Sequence, residues 1–401
     1  MSATHFETAD QLPAVRPLTV RGGFRLFCIA LAVIGGVTFF ASLKANPERA
    51  FANYLLGFFY WTSLSLSGVF FLALQYITGS TWSITLRRIP EALVAFLPVA
   101  VVLFFGVLAG SHHLYEWAHP QAMDVHGILQ KKAAYLNLPF FTFRNLSCLL
   151  IWLVFGWLLV RNSIRQDETG AVSLTKRNTK LAAAFLLIFA LTYTFFSVDL
   201  LMSLEAEWYS TIFGVYCFAG LFLSGIAMIT VIAVILYRRK KFGPYVHPDH
   251  LYDLGKLMLA FTVFWAYIAF SQFMLIWYAD LPEETFYLSK RMIGPWQPMA
   301  WALLIVKFII PFCLLLPQGV KRQGGYLFGI ACWVLAAHYL DCYWLVIPRF
   351  AERGPIFGMP EIGIFVGFAG LFGLAVSTFL GRVPIVPRRD PRIMESVNFH
   401  Q

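Results

Sequence analysis

Ten apolar runs, each long enough to cross a bilayer as a helix, follow one another along this chain: residues 24–43, 51–78, 90–113, 142–161, 180–203, 211–237, 253–279, 298–316, 325–347 and 361–380. About 20 apolar residues in a helix span a hydrocarbon layer, and within lipid the backbone must satisfy its own hydrogen bonds. Each run is therefore read as a helix. Composition agrees, with 59% hydrophobic residues and 13% charged, against about 25% charged in soluble domains. Forty Phe, 17 Tyr and 12 Trp suit lipid-facing surfaces and interfacial belts. The longest connection is about 28 residues, which leaves no soluble domain. The predicted organisation is a tail at 1–23, a transmembrane domain at 24–380 and a second tail at 381–401. The first run is too long for a signal-peptide core and reads as a retained helix.

Basic residues set the expected orientation. With the N-terminus inside, 21 of the 31 Lys and Arg fall on the cytoplasmic side, nine on the other, and Lys307 within a span. By the positive-inside rule both termini are expected to be cytoplasmic. The net charge of +10 then reflects topology and contact with anionic membrane lipids. Nucleic acid is excluded as a partner because no folded basic domain remains to bind it. The six cysteines all lie in apolar spans, without CxxC or CxxCH, and read as buried small hydrophobes. No zinc, iron–sulfur or haem c ligands are available. Haem b would need facing histidines, and only His112, His113 and His338 lie near membrane depth.

The second and sixth spans share a motif. Gly57-Phe-Phe-Tyr-Trp-Thr-Ser-Leu-Ser-Leu-Ser-Gly68 and Gly214-Val-Tyr-Cys-Phe-Ala-Gly-Leu-Phe-Leu-Ser-Gly225 match at five of twelve positions. Both spans run in the same direction, so spans 2–5 (51–203) and 6–9 (211–347) form two parallel four-helix bundles, flanked by spans 1 and 10. Spans five and nine each carry an acid in their outer half, Asp199 and Asp341.

Lys307 sits near the middle of an otherwise apolar stretch. A cation at the bilayer centre costs about 2.5–3.5 kcal/mol on insertion scales, so it requires a carboxylate, a cavity or loss of its proton. His338 and Asp341 are three apart and share a helix face. Asp199, Lys307, His338, Asp341 and Glu205 are the proton-path candidates, with Lys307 as the inner end and Asp199, His338 and Asp341 shallower. His112, His113, Glu116 and Arg144 form a second polar group on the outer side. The bland reading is static pairing that holds the bundles in register. Asp253 and Lys256 read as structural at a helix start, and His247 and His250 as part of a solvated basic loop.

Longer stretches carry a family resemblance. Ser197-Val-Asp199-Leu-Leu-Met-Ser-Leu-Glu-Ala-Glu-Trp208-Tyr-Ser-Thr-Ile-Phe-Gly-Val-Tyr216 resembles the signature of the NrfD-like membrane subunits of bacterial alternative complex III. The seventh span, from Asp253-Leu-Gly-Lys256 to Trp277-Tyr-Ala-Asp280-Leu-Pro-Glu-Glu284, resembles it further, as do His112-His113-Leu-Tyr-Glu-Trp117 and His338-Tyr-Leu-Asp341. One departure is Leu200, where Trp usually follows the Asp. Length and span count are similar to ActF, the smaller such subunit, rather than ActC.

The resemblance implies an all-α, NrfD-like fold and membership in a quinol:electron-acceptor oxidoreductase. It implies an ActC-like membrane partner, and iron–sulfur clusters and haem c on periplasmic partner subunits, with none bound by this chain. Quinol or menaquinol would be the small molecule, and a proton path the contribution of this subunit. The complex would be the enzyme, not this chain alone. A stand-alone proton-coupled secondary transporter and a purely structural anchor remain open on the residues.

Overall fold

Each apolar run becomes a helix, and in the second, fourth and seventh of them a side-chain cap, rather than the fall of hydropathy, marks the start. The computed structural model describes Pro13, residues 15–119 and residues 127–400; most of the expected N-terminal tail lies outside them. The ten membrane helices are α1 (Gly22–Ala45), α2 (Pro47–Ile77), α3 (Arg88–Ala109), α4 (Leu138–Thr169) and α5 (Val172–Leu200), then α6 (Phe213–Arg238), α7 (Pro248–Ala279), α8 (Gly294–Leu315), α9 (Gly324–Arg349) and α10 (Met359–Leu380). The protein is thus an all-helical, multi-pass membrane protein, with no strand among the described residues beyond one isolated bridge, Pro17 to Pro384.

Helix α4 shows how caps overrule hydropathy. Asn137 accepts the Phe140 amide at 3.0 Å, so the helix starts before residue 142. Beyond residue 161 it runs on through Arg, Gln and Glu, all good helix formers, until Gly170 closes it in the left-handed region at φ 66°. Helix α3 is interrupted at Ala95–Phe96, whose amides bond three residues back, to the Ala92 and Leu93 carbonyls at 3.2 Å. Pro98 accounts for the break, because it has no N–H for the Val94 carbonyl.

Burial identifies the centre of the molecule. In their most apolar stretches 94% of α2 and 78% of α6 are buried, against 11% of α1. These two helices pack on each other, α2 also against α3, α5 and α10, and α6 also against α7 and α9. Their crossing depends on Gly225, where a Cβ would lie 2.1 Å from Ser67 Oγ. Helix α4 closes on α5, α8 on α7 and α9, and α1 on α10.

The face carrying both termini is more ordered than a set of solvated basic loops. Arg88 is fully buried and donates to Glu91, Asp167 and Ser163, while Arg87 pairs with Asp390 at 2.5 Å. Residues after α10 fold back, ending in a short helix at Ile393–Val397. His250, expected in a solvated loop, is instead buried, its Nε2 lying 3.0 Å from the Ser396 carbonyl; His247 meets the Val397 carbonyl at the same distance. The returning C-terminal segment supplies both partners, and no local pattern announces it. The cysteine expectation also needs correcting: Cys28, Cys148, Cys217 and Cys342 are buried, but Cys313 and Cys332 are exposed. Those two lie on the outer faces of α8 and α9, where a small apolar side chain suits lipid equally well.

Candidate functional site

The carboxylate facing Lys307 is Asp341. Lys307 Nζ donates to Asp341 Oδ2, and the Tyr216 hydroxyl donates to Oδ1 from α6. His338, one turn before Asp341 on α9, places Nδ1 3.1 Å from Lys307 Nζ. The Trp265 ring lies beneath the ammonium, 4.5 Å from Nζ to centroid. Each of the three ammonium hydrogens thus has a carboxylate, an imidazole nitrogen or a π face to meet. A ring that accepts at Nδ1 carries its proton on Nε2, which faces Cys342 Sγ at 3.8 Å.

Lys307 is 0% exposed and Asp341 1%, so the pair meets no solvent. The cluster fits only because α6 carries Gly220 here: a Cβ would lie 2.9 Å from His338 Cε1 and 3.5 Å from Asp341 Oδ2. The expectation of Lys307 as the inner end of a graded path is therefore revised. Its long side chain brings the ammonium to the acid and imidazole, and the three groups form one cluster.

Lys307 stands on an irregular stretch of α8. Over Leu304–Ile309 the helix widens to π geometry, with the Ile310 amide bonding five residues back to Ile305 O. Pro311 explains this. In regular α register its missing N–H would orphan the carbonyl of Lys307 itself; in π register it orphans that of Val306. Trp333 on α9 donates its indole N–H to Val306 O at 2.8 Å. The widening thus moves the defect off Lys307 and onto a carbonyl that a neighbouring helix satisfies.

Asp199 belongs to a different constellation. Arg144 of α4 grips it with two parallel bonds, Nε to Oδ2 and Nη2 to Oδ1, both 2.9 Å. Asn145 Nδ2 adds a third at 3.0 Å, and Arg144 Nη1 reaches the Tyr135 carbonyl. The guanidinium is stacked between the Tyr135 and Phe140 rings, at 3.8 and 4.1 Å. No described hydrogen bond or ion pair joins Asp199 to Lys307, His338 or Asp341.

The remaining candidates disperse. With Arg144 on Asp199, the expected outer-side group does not assemble: Glu116 pairs with Arg349 at 3.1 Å, His113 stacks on Phe51, and the His112 carbonyl meets His119 Nε2 at 2.7 Å. Glu205 pairs with Lys290 at 3.1 Å and lies 3.9 Å from Arg291. Both cations come from Pro282–Met292, an amphipathic helix outside the ten spans. Asp253 and Lys256 pair with each other at 2.5 Å, consistent with a structural role.

Tyr287, on that same short helix, is the functional candidate that sequence reasoning missed. It lies between the Trp208 ring, stacked at 3.7 Å, and the Arg291 guanidinium, 3.6 Å away. Burial pushes its phenol up to about 12; Arg291 opposes this, while Glu205, Cys217 and Asp341 add to it. Tyr287 thus feels both the buried Asp341 and the outer Glu205. The indole N–H groups of Trp208, Trp265 and Trp344 nearby are buried with no protein partner among the described residues. The period-3.6 pattern of Pro282–Met292, ending in Lys290–Arg291, was the signal available.

No protein-family model matches the chain, and no curated protein matches it. Chemically, the Lys307–His338–Asp341–Tyr216 cluster holds four groups that can accept or give up a proton, arranged in one hydrogen-bonded set. Among the described residues no three His, Cys, Asp or Glu side chains gather as a metal site.

Proposed function

We propose that this chain is an ActF-type, NrfD-like membrane subunit of a quinol-oxidising respiratory complex, and that it conducts protons. The path runs from Lys307, His338, Asp341 and Tyr216 past Tyr287 to Glu205, on the face opposite the termini. The observation that carries this reading is the fully buried Lys307, hydrogen-bonded to both Asp341 and His338. Intramembrane ionisable groups are rare, face the bundle interior in pairs and mark functional pathways, proton relays among them. The orphaned indole N–H groups beside Tyr287 and Lys307 support a hydrated passage, since buried polar groups normally bond to protein or ordered water.

Two parallel bundles are supported by corresponding parts. The repeated motif occupies α2 and α6, which are the two central helices. A cation on α4 grips an acid on α5, and a cation on α8 grips an acid on α9. The copies have diverged in use. An arginine does not release its proton, and Asp199 is saturated by Arg144 and Asn145, so the first pair suits a brace. Lys307 and His338 can exchange protons, so the second pair suits a relay. The excess of Lys and Arg on the termini face supports a cytoplasmic position for that face, with Glu205 then on the periplasmic side.

Electron transfer falls to partners: an ActC-like membrane subunit, iron–sulfur clusters and haem c carried by other chains, with quinol or menaquinol as donor. The test is to purify the chain from bacterial membranes and measure quinol turnover together with the accompanying pH change. Haem-bearing subunits are expected to co-purify, and Lys307→Met in the assembled complex is expected to lower protons moved per quinol oxidised. Recovery of the chain only by itself would overturn the assignment; an unchanged proton yield in Lys307→Met would overturn the relay. The π segment at Lys307 also favours a transporter reading, since transporter sites sit at broken helices. Solute uptake by the isolated chain in liposomes would establish that reading instead.

A further inference from the structure

Helix α6 ends in a Schellman turn. The Lys240 amide donates to Tyr237 O at 2.9 Å and the Lys241 amide to Leu236 O at 3.0 Å. The residue at the turn must be left-handed, and glycine is its usual occupant. Here Lys240 stands there at φ 53°. A side chain in that region is strained relative to glycine, and strain of this kind persists where the side chain is used.

The use is visible beside it. Pro13 and residues 15–19 run along the end of α6 and are held in place: Leu18 N donates to Leu380 O at 2.8 Å, Arg388 to Val15 O at 2.9 Å, and the Tyr245 hydroxyl to Pro13 O at 2.8 Å. Between this segment and the α6 turn lies a cleft of about 340 Å³. Arg16, Lys240 and Lys241 line it, together with Leu18, Phe242 and Ile385. None of the three cations has an acidic partner among the described residues. The cleft lies beside the ends of the apolar helices α1, α6 and α10, the level at which a bilayer spanned by them would present its headgroups.

We infer that this cleft binds the phosphate of an anionic phospholipid. Three cations match a phosphodiester anion, and Leu18, Phe242 and Ile385 match the glycerol and first methylenes of its chains, which free phosphate lacks. The site is independent of the proton-path reading and stands if that reading fails.

Native mass spectrometry of the full chain, released from micelles holding equal phosphatidylglycerol and phosphatidylcholine, tests it. The wild type is expected to retain phosphatidylglycerol preferentially. Each basic residue near a membrane surface contributes about fivefold, so R16Q/K240Q/K241Q is expected to lose about a hundredfold of that preference. K176Q/R177Q/K180Q removes equal charge from exposed positions on the same face and is expected to change it little.

Lys240→Gly separates binding from folding: it relieves the backbone, so its unfolding temperature is expected to rise while the lipid preference falls about fivefold. A triple variant that keeps the preference, a control that loses it equally, or a Lys240→Gly that binds as wild type would each overturn the site. Stabilisation by millimolar inorganic phosphate, with no preference between the two lipids, would mean a soluble phosphate ligand and overturn the lipid assignment.

Discussion

A lysine with no solvent contact is tolerable only while its partners stay. Lys307 and Asp341 each lose hydration on burial, and their attraction, with Tyr216 and His338 bonded to the same two groups, offsets that loss. Removing one partner leaves an uncompensated charge, so Lys307→Met or Asp341→Leu alone is expected to cost about 3–5 kcal/mol, and the double substitution much less. Thermal unfolding of the purified chain in detergent, followed by size-exclusion monodispersity, reads this directly. A double variant as unstable as either single one would show that the pair is not the compensating unit. If the double variant folds well yet moves no protons in the assembled complex, the pair serves function rather than packing. At this scale the sequence showed the anomaly, Lys307, and the shared face of His338 and Asp341. It could not show Tyr216 or Gly220, because these meet the cluster through the α6–α9 crossing, more than a hundred residues away along the chain.

The helices were legible because hydropathy and length suffice for them; their irregularities were not. Pro311 is visible within an apolar run, yet nothing local distinguishes a kinked α-helix from the π segment that forms over Leu304–Ile309. Trp333, on the next helix, decides it by satisfying Val306 O. In lipid no water can replace that donor, so Trp333→Phe is expected to destabilise by about 1–3 kcal/mol, the cost of an acceptor orphaned on a lipid-facing surface. Pro311→Ala restores the missing N–H, and in that background the cost of Trp333→Phe is expected to shrink by most of its value. A double-mutant cycle on thermal stability measures the coupling; full additivity would mean that Trp333 acts through packing alone. Pro282–Met292 escaped notice for a related reason. Its eleven residues are too short and too polar for a span, and their Tyr287, Lys290 and Arg291 matter only once the helix lies across the end of the second bundle.

For the whole molecule, the number of spans and their apolar character followed from the chain directly, while the ordered face around the termini did not. Arg87 and Arg88 read as topology residues but are buried in ion pairs with Asp390, Glu91 and Asp167, contacts that unite α3, α4 and the C-terminal segment. Long-range closure of this kind leaves no periodic trace. The same holds for the division of the acids: Asp199 and Asp341 looked like members of one path and instead belong to separate ion pairs. That separation makes a prediction about the molecule as a unit. Sites without shared partners contribute to stability independently, so the costs of Asp199→Asn and Asp341→Asn are expected to add within about 0.5 kcal/mol. Proton yield is expected to behave otherwise. Asp341→Asn should remove most of it, because the proposed relay passes through that carboxylate. Asp199→Asn should leave it nearly intact in whatever complex still assembles, because a brace carries no protons. Measuring both quantities on the two single variants and the double variant distinguishes the cases. Equal loss of proton yield from the two single variants would restore Asp199 to the path and show that the bundles conduct together, despite having no direct bond between their acids.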